Sequence, residues 1–194
     1  LSLEVDDITI VRRFFQIVLK MEKEPVINAL KNHDVNIIEE AKSKMNHINI
    51  ITAANAPDIT EYRELISDYS PKIIVVDTID RVKAKYAKSE PLQRQEYVIN
   101  QLKDIAMEQE IIMLGVSHIS KGASNQLSEG QRLNIHSAKG SSDIEQKADK
   151  VISFEGDRNM NTKRRIEALG SRDETGFDIT VNFDWRTFNF SKRT

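Results

Sequence analysis

The stretch Pro71-Lys72-Ile73-Ile74-Val75-Val76-Asp77-Thr78-Ile79-Asp80 decides the fold class. Its four consecutive β-branched residues, opened by a proline and closed by a carboxylate, predict a strand buried on both faces. Such strands belong to parallel sheets flanked by helices. An Asp at the carboxyl end of such a strand lies at the crevice where open α/β sheets bind ligands. Read alone, Asp77 serves equally well as the cap of the following turn, so the flanking sequence has to decide.

Upstream, Leu1 to Glu4 reads as the end of a strand. Asp6 or Asp7 then caps a helix whose apolar positions are Ile10, Phe14, Ile17, Val18 and Met21. Pro25 marks a boundary, and residues 26–44 read as one or two packing helices, with Ile37, Ile38, Ala41 and Met45 on one face. Residues 49–52 are a short strand candidate, and Pro57-Asp58-Ile59-Thr60 opens a helix that feeds the decisive strand, as in a βαβ unit.

Downstream, the basic run of residues 81–88 reads as a solvated connector. A long helix over residues 91–109 delivers the chain to Ile111-Ile112-Met113-Leu114-Gly115-Val116-Ser117, a second buried strand ending at His118. Residues 120–142 are polar, hold Gly122, Gly130 and Gly140, and lack apolar periodicity, which predicts a long loop, of the kind that is either functional or disordered. Residues 150–154 form a third core strand. Residues 164–169 and 177–183 alternate around a turn at Gly170 to Gly176 and predict a hairpin, with a further short strand within 185–190.

Composition narrows the function. The 194 residues are 39% hydrophobic, enough for the core of one α/β domain. Lys plus Arg number 28 against 30 Asp plus Glu, a formal net charge of −2, so any nucleic-acid site is local. The absence of cysteine removes disulfides, thiolate metal sites and thiol catalysis, and agrees with an intracellular protein. No apolar run reaches membrane-spanning length. The chain opens Leu1-Ser2-Leu3 without Met, so it is expected to begin part-way through a longer protein.

In a parallel sheet the ends of successive strands collect on one edge, which brings Glu4, Asp77 and His118 together. A carboxylate on a metal, another near an attacking water and a polar sensor near a phosphate are what phosphoryl transfer requires. Zinc hydrolysis fits less well, since His33, His47, His118 and His136 lack close ligand spacing.

The order of these segments resembles the RecA-fold motor domain of the DnaB-like replicative helicases, over nearly the whole chain. Ser2-Leu3-Glu4 looks like the segment after the P-loop, whose Glu polarises water. Residues 71–77 look like the Walker B strand, with Asp77 on the Mg²⁺ of ATP. Leu114-Gly115-Val116-Ser117-His118 resembles the motif ending at the γ-phosphate sensor, and His there points to the phage and mitochondrial branch. Ser141-Ser142-Asp143-Ile144-Glu145-Gln146-Lys147-Ala148-Asp149 is similar to the last motif and its DNA-facing loop.

The resemblance implies a homo-oligomeric, hexameric ring acting on single-stranded DNA with ATP and Mg²⁺, and a primase or loader as partner. Lys121, Arg132 and Lys139 would meet DNA phosphates, and Arg172 would be an arginine finger for the neighbouring subunit. The sequence departs from the family in two places. Gly170 stands where a helper Lys is expected, and no G-x-x-x-x-G-K-[ST] occurs. The expectation is therefore one RecA-like ATPase domain, residues 1–194, lacking its P-loop segment and its first strand and inactive alone. The edge of residues 73–76 would then be left unpaired. The alternatives are another RecA-fold ATPase, of recombinase or clock type, or a non-catalytic assembly or loading module.

Overall fold

The computed structural model describes residues 1–87, 90–139, 141–156, 162–172 and 176–192. Lys88 of the basic run, Gly140, and Asp173, Glu174 and Thr175 of the expected hairpin turn lie outside the described residues. The architecture is mixed α/β, with a parallel two-stranded sheet and a separate four-stranded sheet. Two compact units are formed, one by Leu1–Glu4, Ile51–Ser153 and Ala168–Gly176, the other by Val5–Ile50, Phe154–Glu167 and Phe177–Thr194.

The first unit is built on two parallel strands, β1 (Ile73–Asp77) and β2 (Ile112–Val116), with Ile73 opposite Ile112 and Asp77 opposite Val116. Two further pieces lead into β1: a 3-10 turn at Ile59–Glu61, and the helix Tyr62–Tyr69, numbered α4 in chain order after the three helices of the second unit. Asp58 and Glu61 close a capping box around the turn. The crossover from β1 to β2 is α5 (Pro91–Glu108), where Pro91 sits in the first turn and loses no hydrogen bond. Ile74 and Val76 of β1 pack on Val98, Leu102 and Ile105 of α5 and on Ile59, Tyr62 and Ile66. Each fully buried aliphatic side chain there contributes about 1.5–3 kcal/mol.

Alternation corrects the expected burial. Ile74 and Val76 are 7% and 0% exposed, but Ile73 and Val75 are 54% and 46% exposed. Ile112, Leu114 and Val116 of β2 are open as well. One face of the pair is core and the other is not, because side-chain direction alternates along a strand whatever its hydrophobicity. The edge of β1 is also partly covered. The Leu1 amino group donates to the Val75 carbonyl at 2.7 Å, Asp77 N donates to Leu1 O at 2.9 Å, and Leu3 N donates to Asp77 O at 2.6 Å. The strand expected at residues 49–52 contracts to a single bridge, Thr52 beside Ser2.

Residues 120–142 are not an irregular loop. They hold α6 (Lys121–Ser128), a 3-10 turn at Ile135–Ser137 and the start of α7 (Ser141–Lys147). The Ser120 hydroxyl accepts from Ala123 N and so caps α6. An antiparallel bridge of Ile119 with Ala138 closes the base of this excursion.

The second unit packs α1 (Asp7–Leu19), α2 (Lys23–Lys31) and α3 (Val35–Lys44) around Phe15, Val26 and Ala41. Asp6 caps α1 through Thr9 N. Pro25 lies inside the first turn of α2, where its missing N–H costs nothing, so the helix starts before it.

The C-terminal strands are β3 (Lys150–Gly156), β4 (Lys163–Ser171), β5 (Asp178–Asp184) and β6 (Asn189–Lys192), adjacent in that order. The hairpin of β4 with β5 is antiparallel, as expected, with Ile166 opposite Ile179. The third strand joins this sheet rather than the parallel pair, and of its side chains only Ser153 is buried. Buried Gln16 accepts from Arg12 and donates to the Arg186 carbonyl at 2.6 Å, which ties α1 to the turn between β5 and β6.

Candidate active site

The candidate residues gather at the carboxyl ends of β1 and β2. Backbone pairing of Leu1 to Leu3 with Asp77 sets Glu4 beside the end of β1, and the parallel register pairs Asp77 with Val116, so that His118 follows two residues beyond that end. The Asp77–Thr78 peptide bond is cis. A 3-10 turn at Ile79–Arg81 follows and projects Asp80 and Arg81 from the same edge.

Four side-chain contacts knit this edge. Glu4 Oε2 lies 3.5 Å from His118 Nε2, and Glu4 Oε1 lies 3.5 Å from Arg81 Nε. On the other side of the imidazole, His118 Nδ1 is 3.7 Å from Asp80 Oδ2, the same oxygen that lies 3.8 Å from Lys139 Nζ. The backbone repeats the connection, because Lys139 N donates to the His118 carbonyl at 2.9 Å and Ser120 N to Ser137 O at 2.8 Å. Gln95, buried on α5, donates to the Lys139 carbonyl at 2.8 Å and fixes that end of the excursion.

Glycine at position 115 allows this edge to close. A Cβ there would stand 2.9 Å from Ile79 Cγ2, inside contact distance, so the turn bearing Asp80 rests directly on the backbone of β2. Thr78 is 1% exposed, and its hydroxyl has no hydrogen-bond partner among the described residues. Deeper in the unit, burial followed by the Asp58 carboxylate raises the Tyr62 phenol above its ordinary range.

The sequence-derived residues divide into two groups. Glu4, Asp77, His118 and Lys139 are brought to one edge. Lys121, at the start of α6, and Arg132, after it, are exposed on the excursion. Arg172 lies elsewhere in its own chain: its backbone N donates to Asp149 O at 3.1 Å, its guanidinium donates to the Gln146 carbonyl, and Nη1 is 3.9 Å from Asp149 Oδ1. Lys103 of α5 holds that Asp149 carboxylate at 2.5–2.6 Å. Sequence reasoning missed Asp80, Arg81 and Gln95. The one signal for Asp80 was its spacing of three from Asp77, which a 3-10 turn places back over the strand end.

Among the described residues no group of three or more His, Cys, Asp or Glu side chains is arranged to hold a metal ion. Mg²⁺ delivered with a nucleotide asks for less, only one or two carboxylates besides phosphate and water. Asp77, a hard oxygen donor at a strand end, meets that requirement.

The sequence matches the family described as DnaB-like helicase C terminal domain over residues 1–187. No curated protein matches. Solved structures share the fold. One, described as an ATPase domain, aligns with all of this chain and 73% of its own, at 15% identity and a TM-score of 0.82. A DnaB-like replicative helicase, described with its interactions with primase, aligns at 14% identity and the same TM-score of 0.82, over all of this chain. The present chain spans half of that protein's length. Among the described residues no helix is long and apolar enough to cross a membrane.

Proposed function

The chain belongs to the DnaB-like helicase C-terminal domain family, and on that premise we propose that residues 1–194 are one motor domain of a ring-shaped replicative helicase that moves along single-stranded DNA by hydrolysing ATP. The observation that carries the proposal is the convergence of Glu4, Asp77 and His118, from three separate segments, on one edge of the parallel pair. In phosphoryl transfer little covalent chemistry falls to the protein, so positioning and charge are nearly all of the catalysis.

Asp77 would hold Mg²⁺, which neutralises developing charge on the phosphates when bound. Glu4 orients the attacking water as its general base. His118 meets the terminal phosphate and, through its contact with Glu4, reports whether that phosphate is present. Arg172 acts on the nucleotide of the neighbouring subunit of a hexamer once its tether to Gln146 is released. Lys121, Arg132 and Lys139 meet DNA phosphates along the excursion, and a primase or loader docks elsewhere on the ring.

These residues contain no G-x-x-x-x-G-K-[ST], so they supply neither the backbone cradle nor the Lys for the β- and γ-phosphates. A second reading is a RecA-fold module that assembles or loads a ring without hydrolysis. ATP turnover and fork unwinding by the intact subunit separate the two. Asp77→Asn and Glu4→Gln are each expected to lower turnover about 10²-fold or more, with circular dichroism unchanged. Turnover that survives Asp77→Asn overturns the motor assignment, and an intact subunit without turnover supports the assembly module.

A further inference from the structure

Asp80 has none of the roles assigned above, yet it is more enclosed than the side chains it faces, 16% exposed against 56% for His118 and 61% for Lys139. It sits on a short turn wedged by Ile79 against Gly115, so its position is fixed by packing. One oxygen, Oδ2, faces both His118 Nδ1 and Lys139 Nζ, at 3.7 and 3.8 Å. The other nitrogen of the same ring faces Glu4 at 3.5 Å. Glu4, His118, Asp80 and Lys139 therefore form a continuous chain from the hydrolytic carboxylate to the base of the α6 excursion.

The ring stands between two carboxylates, Glu4 and Asp80, that compete to orient it. Its placement against Glu4 or Asp80 thus depends on how well Asp80 is otherwise satisfied, and the second group facing Asp80 Oδ2 is the Lys139 ammonium. When the Lys139 ammonium turns to an anion outside the chain, Asp80 is left to the imidazole, and the ring's hold on Glu4 weakens. We infer that Asp80 is a positioning residue that couples phosphate capture by Lys139 to the placement of His118 against Glu4. The inference rests on the motor reading. It adds a residue, and a direction of communication, that the family match does not supply.

The test uses the intact subunit, with ATP turnover measured with and without saturating oligo-dT. Asp80→Asn is expected to lower the ratio of the two rates about fivefold or more, the lower bound of a typical coupling, with the KM for ATP little changed. Lys139→Met should lower the ratio similarly. The double variant should fall no further than either single one, because both changes cut the same link. Asp80→Glu should restore most of the ratio. If Asp80→Asn fails to fold, Asp80→Ser takes its place in the same cycle. An unchanged ratio in the Asp80 variant, or losses that multiply in the double variant, overturns the coupling while leaving the motor reading intact. Turnover that persists in Asp77→Asn overturns the motor reading and the coupling with it.

Discussion

Asp58 joins two segments with one buried carboxylate. It is 2% exposed; Oδ1 accepts from the Thr60 amide and hydroxyl, and Oδ2 accepts from Lys85 N at 2.7 Å. Burial pushes its pKa up, but the backbone donors of Thr60 and Lys85, the Thr60 hydroxyl and the Lys85 charge together outweigh it and hold the pKa below the ordinary value. A carboxyl depressed in the folded state stabilises the fold above its unfolded pKa of about 3.9 and loses that contribution as pH falls through the folded value. Asp58→Ala is expected to cost about 2–4 kcal/mol at neutral pH, combining a lost cap with an orphaned Lys85 amide. Urea midpoints should show the gap between wild type and Asp58→Asn narrowing below about pH 4. Arg172 gives a second test at this scale. Doping Arg172→Ala subunits into active rings should depress turnover well beyond their share, since a working arginine finger contributes about 10³–10⁵ in rate, while nucleotide binding by the variant subunit persists. The placing of Asp77 and His118 at one edge was legible because parallel strands align their ends. The strand expected at residues 1–4 is a single bridged residue, Ser2, whose backbone pairing still brings Glu4 to that edge. The contacts of Asp80, Gln95 and Arg172 were not legible, since each is made to a segment tens of residues away whose path no local pattern encodes.

The elements read best where periodicity, caps and burial agree. α5 has a proline in its first turn and an apolar stripe, and its observed span ends one residue from expectation. α6 reads as loop in the sequence because Lys-Gly-Ala-Ser-Asn-Gln-Leu-Ser is polar, holds a glycine and lacks apolar periodicity. Its helix is held by the Ser120 cap and the pinned base of the excursion. The branched run of β1 signalled a strand correctly, but hydrophobicity alone does not say which face a neighbour covers. Ile105→Ala on α5, fully buried, should cost about 2–5 kcal/mol, whereas Ile112→Thr on the open face of β2 should stay within about 0.5 kcal/mol, both read from thermal unfolding of the same protein. Gly115→Ala should displace Ile79 and the turn behind it. The expected cost is about 1–3 kcal/mol, with a fall in turnover larger than the change in stability accounts for.

For the whole molecule, a formal charge of −2 means that DNA is held locally if it is held at all. Replacing Lys121, Arg132 and Lys139 together by Ala should flatten the salt dependence of single-strand binding by about 0.7 per lost contact. An unchanged slope removes the excursion from the DNA path. Residues 1–194 alone should bind ATP·Mg weakly and hydrolyse none detectably, as followed by phosphate release. The open face of the parallel pair has a consequence for handling as well as for chemistry. Ile73, Val75, Ile112, Leu114 and Val116 lie on neighbouring positions of two paired strands, each 42–57% exposed. Contiguous apolar surface of that kind sets colloidal behaviour: light scattering should rise with concentration, anilinonaphthalene dyes should fluoresce on the native protein, and Leu114→Lys, which breaks the stripe at its centre, should suppress both.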